Sequence, residues 1–238
     1  MEVSPGTLFI IATPIGNLED ITFRAVNMLK EADLIAAEDT RRTRILLNAY
    51  SISASLTSYH DHNKERQGKR LLKKLLSGKS IALVSDAGTP GISDPGYYLV
   101  NLAIQNDIIV TPVPGVSAII TALSVSGLPS DRFSFEGFLP KKVNLRRKYI
   151  HKLINEERTI ILYESPHRIM ATLQDFLEIC GERWIVVARE LTKVYEEIVR
   201  GPLSGVLKKL NEKKRKGEFT ILVSSARYSK KLLSSGKK

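Results

Sequence analysis

Apolar runs alternating with segments of helical periodicity constrain the fold of this chain more than any other feature. In the first half, four strand-length runs rich in Ile, Leu, Val and Ala are each followed by a segment with apolar residues on one helical face. This alternation is typical of a mainly parallel sheet covered by helices. It predicts strands at residues 7–12, 34–37, 81–85 and 108–113, and helices at residues 18–32, 41–49, 62–76 and 95–106.

The second half has more strands per helix, which predicts a mixed sheet. A turn-rich stretch at residues 127–131 suggests a linker or domain boundary. We therefore expect an α/β chain of two domains, residues 1–114 and 115–226, followed by a basic, frayed tail at residues 227–238. Beyond a helical segment at 116–125, strands are predicted at residues 133–138, 159–163, 184–189, 197–200 and 219–224, and helices at 143–155, 166–180 and 203–210.

Three loops dense in Gly and Pro follow predicted strands, at residues 12–17, 85–96 and 113–118. In an open α/β sheet, loops at the carboxyl ends of the strands line the ligand crevice. Glycine allows close approach of the backbone to a ligand, and proline fixes loop shape before binding. Although each loop alone could be a tight connection, the three together predict a small-molecule site.

The familiar nucleotide and metal motifs do not fit this site. The first loop lacks the Gly-x-Gly-x-x-Gly pattern of dinucleotide binding, and the tripeptide at residues 78–80 lacks the upstream glycine of a Walker A motif. The pair His60 and His62 has no third ligand nearby and is predicted to be a polar loop. We therefore expect no metal site.

Positive charge is concentrated in two segments of a chain whose net charge is +11. Residues 208–238 hold eleven Lys and Arg against two acids, and residues 141–158 hold seven against two, so the remainder is slightly acidic. Segregated positive charge attracts polyanions. Arg146, Arg147 and Lys148 lie on the predicted helix 143–155 and are expected to form a phosphate-contacting face.

A single cysteine, the lack of a basic N-terminal region and the lack of a long apolar run bear on the compartment. One cysteine forms no disulfide within the chain and suits a reducing cytosol. No run approaches the roughly 20 apolar residues of a membrane span. The sequence therefore predicts a cytoplasmic protein without a signal peptide or membrane segment.

Several longer motifs resemble the tetrapyrrole methylase superfamily and, more narrowly, the ribosomal RNA small subunit methyltransferase I family. The resemblance runs from residue 6 to about residue 224. The matching motifs are TPIGNLEDIT at 13–22, AEDTR at 37–41, SDAGTPGISDPG at 85–96, VPG at 113–115, FEGFLP at 135–140, YESPHR at 163–168 and RELTK at 189–193.

The resemblance implies a homodimer of two-domain subunits with S-adenosylmethionine bound in the cleft between domains. It also implies 2′-O-methylation of a cytidine in the decoding region of small-subunit rRNA, on free rRNA or the assembled subunit. Motif matching assigns eleven residues to the cofactor site: Pro14, Ile15, Asp86, Ala87, Gly88, Ile92, Ser117, Ala118, Leu162, Tyr163 and Thr220.

Two charged segments supply candidates for the chemistry that a ribose hydroxyl requires. The sulfonium methyl is already activated, so no metal is expected, but a weak hydroxyl nucleophile benefits from a base or from charge stabilisation. Asp39 or Glu190 could accept the proton, and Arg41 or Lys193 could stabilise negative charge or hold a phosphate. These charges could instead pair with each other.

Two other functions remain open from the sequence. The same fold could carry a methyltransferase for a tetrapyrrole or another small molecule, because fold does not fix substrate. The chain could also be a non-catalytic RNA-binding assembly factor. The basic segments argue against the first, and cofactor binding separates the second from either enzyme.

Overall fold

Residues 6–212 and 216–235 are described by a computed structural model, in which the chain divides between Ser117 and Ala118 into two compact units. The division lies at the end of the third Gly/Pro loop. Residues 127–131, predicted as a linker or boundary, lie inside the second unit, where Ser126 closes the turn by accepting a hydrogen bond from the Leu128 N–H at 3.0 Å.

The sheet of the first unit is parallel throughout, as the alternating pattern predicts. Its order is β3-β2-β4-β1-β5, with Leu8 of β1 aligned with both Ile81 and Val110 of its neighbours. The predicted strands are therefore confirmed with small changes at their ends. The strands are β1 Thr7–Ile11, β2 Leu34–Ala37, β3 Leu56–Ser58, β4 Ile81–Val84 and β5 Ile109–Val113.

Two helical layers cover the two faces of this sheet. One core cluster joins the sheet to Met28 and Leu29 of α1 and Leu47 of α2. The other joins the opposite face to α3 and α4 through residues such as Leu75 and Leu99. The helices are α1 Phe23–Glu31, α2 Thr40–Ala49, α3 Lys64–Leu76 and α4 Tyr97–Ile104.

The predicted helix at residues 18–32 is divided into a 3-10 turn, Leu18–Asp20, and helix α1. Thr22 causes the division, because its backbone is extended and its side chain accepts a hydrogen bond from the Ala25 N–H at 3.1 Å. A threonine in this role caps the start of a helix.

The sheet of the second unit is mixed, as predicted. Its order is β6-β7-β10-β8-β9, in which β6 runs parallel to β7 and the other neighbours are antiparallel. The strands are β6 Phe133–Phe138, β7 Thr159–Glu164, β8 Trp184–Arg189, β9 Glu197–Pro202 and β10 Phe219–Val223.

Three helices form the main core of the second unit against one face of its sheet. Ile150, Phe176 and Leu203 are among the buried residues that they contribute. On the other side, α5 contacts β10 and α9 contacts β8. The helices are α5 Ala118–Ser124, α6 Val143–Lys152, α7 Ile169–Cys180, α8 Leu203–Asn211 and α9 Ala226–Ser235. None of the helices in the described ranges is long and apolar enough to cross a membrane.

The C-terminal segment is helical up to Ser235, whereas the sequence predicts a frayed tail from residue 227. Ser229 holds α9 in place: it is buried, and its hydroxyl accepts a hydrogen bond from the Trp184 N–H at 3.1 Å. The hydroxyl of Ser229 also lies 2.6 Å from that of Ser224. Residues 236–238 of the predicted tail lie outside the described residues.

Candidate functional site

The Gly/Pro loops of the first unit gather at the carboxyl edge of its parallel sheet. The first two are joined by an isolated bridge in which Thr13 and Gly88 exchange two backbone hydrogen bonds, each 2.9 Å long. The Thr13 hydroxyl adds a buried hydrogen bond to the Ser85 carbonyl at 3.2 Å. These three hydrogen bonds are made within the protein, so they fix the shape of the loop pair.

Gly88 leaves space in this loop pair that any other residue would fill. Its φ is +80°, in the left-handed region, and a Cβ there would lie 3.5 Å from Cγ2 of Ile15. A side chain at this position would therefore be strained and would project against Ile15. The approach of this loop's backbone to a bound molecule stays a prediction.

The predicted cofactor residues of the first unit occupy this edge. Pro14, Ile15, Asp86 and Ala87 are half-buried around the bridge, with the buried Gly88 between them. The remaining predicted residues of this edge lie further along the chain. Ile92 is 44% exposed on the long loop after β4, and Ser117 and Ala118 are half-buried after β5.

The loop after β2 is tied to the loop after β4 through Asp86. The Asp86 carboxylate accepts a hydrogen bond from the Asp39 N–H at 2.9 Å and lies 3.4 Å from a guanidinium nitrogen of Arg42. In return, the Asp86 N–H donates to the Glu38 carboxylate at 3.4 Å. Strands β2 and β4 are neighbours, so their carboxyl-end loops meet here.

Asp39 and Arg41, both predicted as catalytic candidates, pair with each other. Asp39 caps helix α2 by accepting from the Arg41 N–H at 2.9 Å, and its carboxylate accepts two further bonds from the Arg41 guanidinium at 3.0 and 2.7 Å. These side-chain and backbone hydrogen bonds hold the pKa of Asp39 well below its usual range. A carboxylate with such a low pKa is a weak proton acceptor.

Asp94 is the acid at this edge that the sequence reasoning missed. The pKa of Asp94 is raised to about 7, mainly by burial and next by the charge of Glu38. The Ser85 hydroxyl opposes this shift, and the charges of Asp86 and Asp61 reinforce it. Burial likewise raises the pKa of Glu38. Paired carboxyls with raised pKa values are common where a protein moves protons.

A pocket of about 120 Å³ opens between helix α2 and these loops. Its walls combine apolar side chains with the paired charges of Arg42 and Asp86. Small-ligand sites usually combine a concave surface with a few convergent polar groups, but their volumes are about 300–1,000 Å³, so this pocket alone holds only part of such a ligand. The lining residues are Thr13, Pro14, Leu18, Arg42, Thr43, Ile45, Leu46, Ser85 and Asp86.

Three predicted cofactor residues lie in the sheet of the second unit, and two of them share one face. Tyr163 of β7 lies directly opposite Thr220 of β10, and directly opposed residues project to the same side. The Tyr163 ring packs edge-on against Phe135, with ring centroids 4.9 Å apart. Leu162 projects to the other side, where its side chain is fully buried in the helical core, so only its backbone is available to a ligand.

Glu190 and Lys193 form a local charge cluster in the loop after β8. Lys193 lies 2.8 Å from Glu190 and 2.8 Å from Glu218, and Glu190 also accepts a hydrogen bond from the Glu218 N–H at 3.0 Å. Burial would raise the pKa of Glu190, but Lys193 and the Glu218 N–H outweigh it and lower the pKa. Gly217 permits this packing, because a Cβ there would overlap the Glu190 carboxyl group.

The predicted phosphate-contacting face on α6 is wrong for Arg146, which is buried, whereas Arg147 is paired but remains partly exposed. Arg146 is buried and donates to Asp175 at 2.7 Å, and Arg147 donates to Asp175 and Glu178, each at 2.6 Å. Both guanidinium groups therefore pair with acids on α7, although the Arg147 side chain is still 36% exposed. Within residues 6–212 and 216–235, no group of three or more His, Cys, Asp or Glu side chains is placed to hold a metal ion.

Comparison with known proteins identifies close relatives over nearly the whole chain. A family model described as tetrapyrrole (corrin/porphyrin) methylases matches residues 7–207. The ribosomal RNA small subunit methyltransferase I of Halalkalibacterium halodurans is 55% identical over 218 residues, which cover 92% of this chain and 75% of that protein. The protein of the same name from Thermotoga maritima is 49% identical over 219 residues, covering 92% of this chain and 98% of that protein.

Solved structures share the fold at much lower identity. Cobalt precorrin-4 methyltransferase superimposes with a TM-score of 0.69 at 18% identity, covering 92% of this chain and 95% of that one. Uroporphyrin-III C-methyl transferase from Thermus thermophilus, in complex with S-adenosyl homocysteine, has a TM-score of 0.64 at 17% identity, covering 91% and 96%. The chain therefore belongs to the tetrapyrrole methylases and, within them, to the ribosomal RNA small subunit methyltransferase I family.

Proposed function

We propose that this protein transfers the methyl group of S-adenosylmethionine to the 2′-hydroxyl of a cytidine in the decoding region of small-subunit rRNA. The observation that carries the proposal is the identity of 49–55% with proteins named ribosomal RNA small subunit methyltransferase I, over 92% of the chain. The joined loops at the carboxyl edge of the first sheet support the proposal.

The loops after β1 and β4 would hold the methyl donor. Pro14, Ile15 and Ala87 offer half-buried surface, and Gly88 offers backbone that a ligand can approach closely. Ile92, Ser117 and Ala118 would complete the site in the first unit and at the start of α5. Tyr163, Thr220 and the backbone of Leu162 are the proposed contacts from the second unit. The bound donor supplies a methyl group activated by a sulfonium.

The residues at this edge would orient the acceptor hydroxyl and remove its proton. Alignment of the hydroxyl oxygen with the methyl group accounts for much of the rate enhancement in such transfers. Of the acids considered, Asp39 and Glu190 have lowered pKa values, whereas Asp94 titrates near neutrality. We therefore assign proton acceptance to Asp94, and electrostatic or phosphate-holding roles to Arg41 and Lys193.

The resemblance to this family also implies a compartment and an assembly. We infer that the protein works in the cytoplasm as a homodimer on rRNA or on the assembled small subunit. Light scattering on the purified protein measures the dimer directly. A monomer at all concentrations would overturn that part of the proposal.

The first test is transfer of labelled methyl from S-adenosylmethionine to small ribosomal subunits, to naked rRNA and to a tetrapyrrole precursor. Nucleoside analysis of the RNA should find the label as 2′-O-methylcytidine. The variant Asp86→Arg should lose the label, since it removes the acceptor of the Asp39 N–H. A matched charge reversal at the exposed Glu31, Glu31→Arg, should keep it.

Two other results would each replace the proposal. Label in the tetrapyrrole precursor and none in RNA would favour the small-molecule methyltransferase, the function of several proteins with this fold. Absence of S-adenosylmethionine binding in a calorimetric titration would instead favour a non-catalytic RNA-binding assembly factor. RNA labelled at a base would refute the 2′-hydroxyl as acceptor while retaining the enzyme class.

A further inference from the structure

Helix α3 concentrates positive charge that the sequence reasoning did not assign to any partner. The helix holds six lysines and arginines but one acid, Glu65. Five of the six cations recur at helical positions i, i+3, i+4, i+7 and i+8, so they share one face. All five are exposed and are called here the basic stripe: Arg66, Lys69, Arg70, Lys73 and Lys74.

The protein itself leaves the basic stripe uncompensated. Among the described residues, no carboxylate lies within 4.0 Å of any of its five cationic groups. The ion pair at this helix, Lys64 with Asp61 at 3.1 Å, lies outside the stripe. Arg70 donates only to the neutral Gln67, at 3.4 Å. Like charges at i and i+4 destabilise a helix, so the stripe lowers stability unless an external anion binds it.

The opposite face of α3 excludes a membrane surface as the natural partner. Leu71 and Leu75 are almost completely buried, and they pack with Leu99 and Ala103 of α4 in the core of the first unit. A helix that binds a bilayer needs its apolar face free to enter the lipid interface. The apolar face of α3 is already used, which leaves a purely electrostatic surface.

Other basic segments are less available for phosphate. Arg146 and Arg147 of α6 are engaged by Asp175 and Glu178. Residues 213–215 lie outside the described ranges. The basic stripe therefore holds the largest set of exposed, unpaired cations on one described helix.

We propose that the basic stripe of α3 contacts the phosphate backbone of the RNA substrate. The proposal rests on the function proposed above and adds the surface that holds the RNA. Arg66 and Lys74 are eight residues apart, so the stripe is about 12 Å long. Each strand of duplex DNA advances about 3.4 Å along the helix axis per phosphate, so on that scale the stripe spans roughly three phosphates. Such contacts position the RNA without reading its bases.

The test measures the salt dependence of RNA binding by the full-length protein. The probe is small-subunit rRNA transcribed in vitro, and the variant is the double substitution Lys69→Gln/Lys73→Gln. The plot of log affinity against log salt concentration has a negative slope, and each lost phosphate contact reduces its magnitude by about 0.7–0.9. The slope of the double variant should therefore be smaller in magnitude by about 1.5. S-adenosylmethionine affinity should not change.

Two controls isolate the effect of charge at this face. Lys69→Arg/Lys73→Arg retains the charge and should retain the slope of the parent protein. Lys30→Gln removes an exposed charge from α1, in the opposite helical layer, and should also leave the slope unchanged. A slope that is the same for Lys69→Gln/Lys73→Gln and the parent overturns the proposal.

The outcomes also distinguish this proposal from the proposed function. If Lys69→Gln/Lys73→Gln changes the slope as expected but the parent protein transfers no methyl to rRNA, the enzyme assignment is refuted and the basic stripe remains an RNA-binding surface. Charge-dependent binding of the stripe to vesicles containing phosphatidylserine, with an unchanged RNA slope, would make lipid the partner and overturn the proposal.

Discussion

Replacement of Asp94 by asparagine should remove the group whose titration controls the rate at neutral pH. The substitution keeps the size of the side chain but cannot accept a proton. General-base catalysis contributes about 10²–10⁴-fold, and we expect the rate of methyl transfer to fall within that range. The affinity for S-adenosylmethionine should stay close to that of the parent, since Asp94 is assigned to the hydroxyl and not to the cofactor.

The pH dependence of the methyl-transfer rate gives a more precise expectation. Burial and the neighbouring Glu38 raise the pKa of Asp94 to about 7, and the deprotonated carboxylate is the active form. The rate should therefore rise with pH to a plateau above neutrality. At pH 6, one unit below the pKa, only about a tenth of the carboxyl groups are ionised, so the rate should be about a tenth of the plateau.

A second substitution tests the physical cause of this pKa. Glu38→Gln removes the neighbouring charge yet keeps an oxygen that can accept the Asp86 N–H. Loss of a negative neighbour lowers the pKa of a carboxyl group, so the rising limb should move to more acidic pH while the plateau remains. Glu31→Gln removes an exposed charge on α1 and should leave the limb in place.

The assay is single-turnover transfer of labelled methyl to saturating rRNA at each pH, which separates chemistry from product release. Cofactor affinity is measured by calorimetry on the same preparations, so an unfolded variant is recognised. An Asp94→Asn variant that retains both the parent rate and a rising limb near pH 7 would refute Asp94 as the proton acceptor. In that case another group, with its own titration, accepts the proton.

Three further predictions concern stability. Asp175→Ala should lower the free energy of unfolding by about 3–5 kcal/mol in urea denaturation, because it leaves the buried Arg146 unpaired; replacing both residues by apolar ones should recover most of the loss. Gly217→Ala should cost about 1–3 kcal/mol in the same assay, since φ is +96° and the new Cβ would displace Glu190; an unchanged midpoint would contradict this. Asp33 has its pKa lowered to about 2, mainly by Lys79 and by Ser80, so the stability that it contributes is present above pH 4 and lost as pH falls toward 2; Asp33→Asn should flatten this acid limb in thermal melts at graded pH.

The parallel sheet of the first unit could be predicted because each of its inner strands is an unbroken apolar run. In β4, Ile81 and Leu83 are buried on one face of the sheet and Ala82 and Val84 on the other, so the whole strand must be apolar. Strand β3, Leu56–Ser58, was not predicted, because it is a half-buried strand of three residues at the edge. An edge strand this short has no distinctive pattern of hydrophobicity.

The charges of the site were harder to predict than its loops. Gly and Pro mark the loops locally, whereas the pKa of Asp94 depends on Glu38, which the sheet brings close from a distant part of the sequence. Likewise, the exposed role predicted for Arg146 failed because its partner, Asp175, lies 29 residues away on another helix. Local patterns place a residue on a helix or in a loop but do not identify its long-range partner.

The Asp86 carboxylate joins the loop after β4 to the loop after β2, so a change in one loop should affect the other. The group that fixes the Asp39 N–H at the start of α2 belongs to the loop expected to bind the methyl donor. A ligand that draws Asp86 away from that N–H would weaken the first turn of α2, and by thermodynamic reciprocity a molecule that stabilises this turn would change the affinity for the ligand. Binding at the donor site should therefore change the hydrogen-exchange rate of one backbone amide, that of Asp39, in the loop after the neighbouring strand β2.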